Sequence, residues 1–335
     1  MLQEAPRPLL EAHDLVMFDL DGVVYIGEEA VAGVPARLVR LQGSGVRVAF
    51  VTNNASRTPE EVAARLQSMQ VQASPQDVVT SAQAASSVLV ERFGTGAGVL
   101  VLGGPGLWEA TRAAGLVPLD PSSTPDQASA LVTGYGPDVL WREVMRVAVA
   151  VRDGLPWVAS NTDMTIPTAF GVAPGHGVQV RMLEEFTGVS PVVAGKPAAP
   201  LLEETVARVG GTSPLMVGDR LDTDIAGARA LGLPSLLVLT GVTGLSELVS
   251  ATAEHRPTFV APTLEGLFEP HPVPTAEGEG FGLGGWHGQV RAGALTMEGA
   301  GSEADWWRTV AVTAWQHADA TGEVAETTGL CPPSP

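Results

Sequence analysis

Twice in this chain a short apolar run stops abruptly in aspartates. Leu15-Val16-Met17-Phe18 gives way to Asp19-Leu20-Asp21-Gly22, and Leu215-Met216-Val217 to Gly218-Asp219-Arg220-Leu221-Asp222-Thr223-Asp224. Unbroken apolar runs of this length suit strands covered on both faces, and helical patterns follow at 35–41 and 224–231. Further buried strands are expected at Val46–Val51, ending in Thr52-Asn53-Asn54, and at Ser235–Leu239. Thr58-Pro59-Glu60-Glu61 reads as a capped helix start. This alternation predicts an α/β fold, a Rossmann-like parallel sheet with helices on both faces.

Between the two acidic strand ends lies a stretch with its own βα rhythm. Strands are expected at 99–102, 130–132 and 156–159, and helices at 107–114 and 141–152. The expected organisation is a discontinuous core (1–82 plus 186–268) interrupted by an inserted α/β domain (83–185). Residues 269–284, rich in Pro and Glu, read as a linker. Residues 285–335 read as a short appendage holding four of the seven tryptophans. In it, 289–296 reads as a short strand and 303–320 as a helix, with Trp307, Val310, Ala311, Ala314, Trp315 and Ala318 on one stripe. So much apolar surface is expected to dock rather than trail in water.

With 37 acidic against 19 basic residues, the net charge is −18. Such a surface repels nucleic acid and anionic lipid, so neither is an expected partner. It also means that an anionic substrate needs a local cation. The single cysteine, Cys331, permits no internal disulfide, which fits a reducing compartment. There is no cationic start with an apolar stretch behind it, and no run of 18 apolar residues. The expected location is therefore cytoplasmic.

Carboxylates i and i+2 of an extended segment point the same way, so Asp19 and Asp21 leave their strand together. At the carboxyl end of a parallel sheet they can bind a hard cation, share a proton, or divide nucleophile from acid. An Asp-Gly turn alone is the plain alternative. Asp219, Asp222 and Asp224 repel one another unless a cation lies among them, although Asp224 also suits a helix cap and Asp222 plain solvation. Thr52-Asn53 suits phosphate oxygens or an ordinary turn, and Lys196, in Gly195-Lys196-Pro197, is a candidate cation or a surface lysine. Gly103-Gly104-Pro105-Gly106 is neither a dinucleotide fingerprint nor a P-loop. The histidines lack zinc spacing, and no Gly-x-Ser-x-Gly occurs.

Taken in order, Asp19-Leu20-Asp21-Gly22-Val23-Val24-Tyr25, Val51-Thr52-Asn53-Asn54, Gly195-Lys196-Pro197 and Val217-Gly218-Asp219-Arg220-Leu221-Asp222-Thr223-Asp224 resemble the four motifs of the haloacid dehalogenase-like phosphohydrolases. The cap between the second and third motifs resembles the subgroup of NagD-type, p-nitrophenyl phosphate, phosphoglycolate and glycerol 3-phosphate phosphatases. The resemblance implies hydrolysis of small phosphorylated metabolites through an aspartyl-phosphate. Asp19 would be the nucleophile, and Asp21 the acid and then the base. Mg²⁺ would be held by Asp19, the Asp21 carbonyl, Asp219 and Asp224. Thr52, Asn53 and Lys196 would hold the phosphoryl group, and Asn161 and Asp163 would face the substrate from the cap. Glycerol 3-phosphate and 2-phosphoglycolate are the favoured substrates. A phosphotransferase on the same fold and a non-catalytic phosphometabolite sensor remain alternatives, and a homo-oligomer is left open.

Overall fold

A computed structural model describes residues 1–123, 127–168 and 170–333. The chain divides into two compact units, Met1–Val48 with Gly211–Pro335, and Ala49–Gly210.

In the first unit, four wholly buried strands run parallel in the order Phe259–Ala261, Ser235–Val238, Pro214–Gly218, Leu15–Phe18. Their apolar runs are continuous because both faces are covered, as the sequence implies. The register pairs Phe18 with Val217, and the Asp19 N–H donates to the Val217 carbonyl at 2.9 Å. Both acidic segments therefore leave the same edge of adjacent strands.

The C-terminal region departs from the expected linker and tail. Strands Thr275–Glu277, Gly280–Leu283, Trp286–Arg291 and Ala294–Gly299 form an antiparallel meander, so part of 269–284 is sheet and the strand read at 289–296 is two. The overlooked signals were the two-residue turns. Gly284-Gly285 and Ala292-Gly293 all have positive φ, the conformation that closes a tight hairpin. Helix Glu303–Thr321 begins at Ser302, whose hydroxyl accepts from the Asp305 N–H at 3.1 Å. Every residue from Trp306 to Trp315 is buried, not one stripe alone. The helix lies against the meander on one side and against strand Phe259–Ala261 and helix Leu245–Val249 on another. The Trp315 indole N–H donates to the Leu248 carbonyl at 2.8 Å, so this tryptophan is satisfied as well as buried.

The second unit holds a five-stranded parallel sheet, in the order Val192–Val193, Trp157–Ala159, Ala130–Thr133, Gly98–Leu102, Val117–Leu119. Helices Trp141–Arg152 and His176–Thr187 close one core over it, with Leu100, Leu131, Val147, Trp157 and Leu183 inside. The unit also pairs Phe50–Thr52 with Val78–Thr80 in parallel and carries the hairpin Thr165–Thr168/Gly171–Pro174. The sheet reaches Val193, beyond the residue 185 at which the sequence suggested the insert ends. No helix among the described residues is long and apolar enough to cross a membrane.

Candidate active site

In the first unit, one carboxylate oxygen from each of Asp19, Asp219 and Asp224 lies within 4.8 Å of the others. Asp219 is fully buried and Asp224 nearly so. Asp224 sits in a widened, π-helical turn, Leu221–Ile225, and its carboxylate accepts from the Arg220 N–H at 3.1 Å. One Asp219 oxygen accepts from the Val242 N–H at 2.6 Å, and its carbonyl from the Thr243 N–H at 3.1 Å. Three like charges this close, two of them shielded from water, are costly without a cation. An all-oxygen set of carboxylates is the donor chemistry of a hard divalent ion such as Mg²⁺.

Glycines make this approach possible. A Cβ on Gly22 would stand 2.4 Å from an Asp219 oxygen, one on Gly241 2.0 Å from the same atom, and one on Gly218 2.2 Å from the Asp224 Cβ. Gly22 also has φ +83°, a conformation that favours glycine. The Thr240 hydroxyl donates to the Gly22 carbonyl at 2.6 Å and ties the loop after Ser235–Val238 to the Asp-Gly turn. Sequence reasoning passed over this 240–243 loop, although a Thr-Gly pair at a strand's carboxyl end was its visible sign. Asp21 stands outside the trio and is itself exposed, beside the turn where the Gly22 N–H donates to the Tyr25 carbonyl at 2.8 Å. Asp222 faces water and pairs with Arg220 at 2.7 Å, the bland role considered for it.

The second unit gathers the other candidates around Asn53, a buried residue. Its Nδ2 donates to the Lys196 carbonyl at 2.9 Å and to Asp163 Oδ1 at 3.0 Å, while its Oδ1 accepts from the Lys196 N–H at 2.8 Å. Its carbonyl accepts from the Ser81 hydroxyl at 2.6 Å and from Asn161 Nδ2 at 2.7 Å. Asn161 Oδ1 in turn accepts from the Asp163 N–H at 3.1 Å. Asn53, Asn161, Asp163 and Lys196, distant in sequence, are thus one hydrogen-bonded cluster. Gly195 has no side chain because a Cβ there would meet Asn53 Oδ1 and the Ser160 carbonyl, both at 2.6 Å. The Thr52 hydroxyl accepts from the Asn54 N–H at 3.1 Å. Lys196, the only lysine of the 335 residues, is 2% exposed, and its Nζ donates to the Val51 carbonyl at 3.4 Å.

The model of the family described as haloacid dehalogenase-like hydrolase matches residues 16–117, and a second, HAD-hydrolase-like, matches 193–267. A D-glycerol 3-phosphate phosphatase of Mycobacterium tuberculosis is 40% identical over 87% of this chain and 80% of its own length. The chain belongs to the haloacid dehalogenase-like hydrolases. Membership of this hydrolase family accounts for the α/β fold. An acid sugar phosphatase of Staphylococcus aureus is 32% identical over 71% of this chain and 91% of its own length. Among solved structures, the magnesium complex of a glycerol phosphate phosphatase from M. tuberculosis matches with a TM-score of 0.84, at 39% identity, over 92% of each chain. A 4-nitrophenylphosphatase from Thermotoga maritima matches with a TM-score of 0.71, at 29% identity, over 77% of this chain and 97% of its own.

Proposed function

We propose that this hydrolase cleaves small phosphate monoesters with Mg²⁺, through attack of Asp19 on phosphorus, and that glycerol 3-phosphate is its substrate. The observation that carries the reading is the gathering of Asp19, Asp219 and Asp224 at one sheet edge. An Asp19 oxygen bonds to phosphorus as the ester P–O bond breaks, and Asp21 protonates the leaving alkoxide. Asp21 then takes a proton from water, whose oxygen attacks the phosphorus of the aspartyl-phosphate. Phosphate leaves and Asp19 is restored. The Asp19 and Asp219 carboxylates and the Asp21 carbonyl, supported by Asp224, would hold Mg²⁺, whose positive charge would offset repulsion between carboxylate and phosphate.

Thr52 and Lys196 hold the phosphoryl group in this reading. Asn53 acts mainly as a fastener, since its amide is engaged by Lys196 and Asp163. Asn161 and Asp163 present the substrate-facing loop of a cap (83–185) on a core made of 1–82 and 186–268. Glycerol 3-phosphate is favoured over other esters by the M. tuberculosis match. A likeness over 92% of this chain has to include much of 269–335, whereas the T. maritima match spans 77%.

The test is phosphate release with Mg²⁺ from glycerol 3-phosphate, 2-phosphoglycolate and p-nitrophenyl phosphate, comparing wild type with Asp19→Asn. Wild type turns over, with glycerol 3-phosphate the best ester by kcat/KM, and the variant loses about 10⁴-fold or more. Equal rates would remove Asp19 as nucleophile. Binding without turnover in wild type would make the chain a sensor.

A further inference from the structure

On the first unit, at the end of the sheet opposite the aspartates, is a cavity of about 720 Å³. Ser235 and Phe259 line it, and each is the first residue of its strand, whereas Asp19 and Asp219 follow the last residues of theirs. All these strands are parallel, so the length of a four-residue strand, roughly 13 Å, separates the cavity from the aspartates. Its volume falls within the range of small-molecule sites.

The lining is unusual for so acidic a chain. Three arginines, Arg7, Arg229 and Arg256, contribute to it, and Glu4 is its one acidic residue. Arg256 is buried and held by both oxygens of Asp319, at 2.7 and 2.8 Å, so its charge is balanced. Arg7 and Arg229 are exposed and have no ion pair or hydrogen-bond partner for their side chains among the described residues. Acids outnumber bases by about two to one in this chain, yet neither of these arginines holds one. Leaving two without one beside a single cavity concentrates positive potential there. Leu233 and Phe259 add apolar wall, the mixture that a small organic ligand needs. Guanidinium groups match the oxygens of phosphate in paired hydrogen bonds.

We propose that this cavity is a second anion site, separate from the catalytic one, that binds a diphosphate-bearing small molecule of up to nucleotide size between Arg7 and Arg229. The ligand's phosphates replace the missing carboxylates, and Leu233 and Phe259 receive its carbon skeleton. Arg229 lies in the last turn of a helical stretch that begins with the turn holding Asp224, so the two sites share one short element.

The proposal is tested by calorimetric titration of the full chain in EDTA, where no metal recruits anions to the aspartates. The probes are methylenediphosphonate, which resists hydrolysis, and inorganic phosphate. One equivalent of diphosphonate binds, at least about tenfold tighter than phosphate, because two arginines meet two phosphonates. The double variant R7Q/R229Q weakens binding by about tenfold or more, since hydrogen bonds to charged groups are the stronger class. Glu4→Gln tightens it, and Asp19→Asn leaves it unchanged. Absence of binding, equal affinity for the two anions, or an R7Q/R229Q titration like that of wild type overturns the site. If the double variant does not fold, Glu4→Gln decides alone, and unchanged or weaker binding there overturns it. Hydrolysis enters none of these measurements, so they stand whether or not the proposed reaction does.

Discussion

The two polar clusters of this protein are built on opposite principles. Around Asn53 each of these contacts joins a donor to an acceptor: amide to carbonyl, amide to carboxylate, hydroxyl to carbonyl. Folding alone explains that cluster, because a buried polar group is costly until it is paired. Around Asp219 the chain does the reverse. It brings three acceptors of like charge within 4.8 Å and places glycines where any side chain would push them apart. Such a concentration of carboxylate oxygens suits the binding of a hard cation. A cluster of matched donors and acceptors is the mark of positioning, whereas a concentration of like charge is the mark of chemistry.

The strongest way to break this contrast is to remove one charge from the acidic cluster. Asp219→Asn is expected to lower kcat by about 10³-fold or more while leaving metal-free stability unchanged or raised, since repulsion falls. It should also abolish the rise in thermal midpoint that Mg²⁺ gives wild type. A metal-free loss of stability would mean that the trio is a structural network after all.

A second measurement uses one buried histidine in each unit. Burial pushes the His176 imidazole down to about 4, and burial with the neighbouring Arg308 charge does the same for His271. Both native rings therefore resist a proton that the unfolded chain accepts below about 6.5. The unfolded state binds more protons between pH 6.5 and 4, so stability falls as pH drops through that window. The loss reaches up to about 3 kcal/mol per ring. Urea midpoints measured across this range should decline, and His176→Asn should remove its share while leaving that of His271.

The smallest effect is expected in the cluster of matched donors and acceptors. Asn53→Ala leaves the Lys196 N–H and carbonyl unpaired, at a cost of about 2 kcal/mol by urea unfolding. Turnover should fall with it, by about 10²-fold, because Lys196 and the Asn161–Asp163 loop lose their common anchor. Stability lost without any change in kcat would confine Asn53 to folding.

What the sequence made legible follows from the range of each signal. The strands before Asp19 and Asp219 were readable because continuous apolar runs and abrupt aspartates are local features. Helix Trp141–Arg152 was readable because its apolar spacing is regular. The meander at 275–299 was not, because glycines and glutamates hide its alternation and its turns depend on positive φ rather than on proline. The helix 303–321 was legible as a helix but not as one buried from Trp306 through Trp315, which depends on partners far away in sequence. At the site, residue types were visible, but the pairing of Asn53 with Lys196, 143 positions away, was not. Nor was the part played by Gly241 and Val242, whose contribution is an absent side chain and a backbone N–H.

The solitary, enclosed Lys196 gives this protein an uncommon chemical surface. Among its described residues no side-chain amine stands in water, so acylating reagents, aldehyde cross-linkers and lysine-directed modifying enzymes find no ε-amino target while the native enclosure holds. Any acylation of Lys196 therefore times an opening event, and a single peptide mass reports how often this phosphatase exposes its own interior.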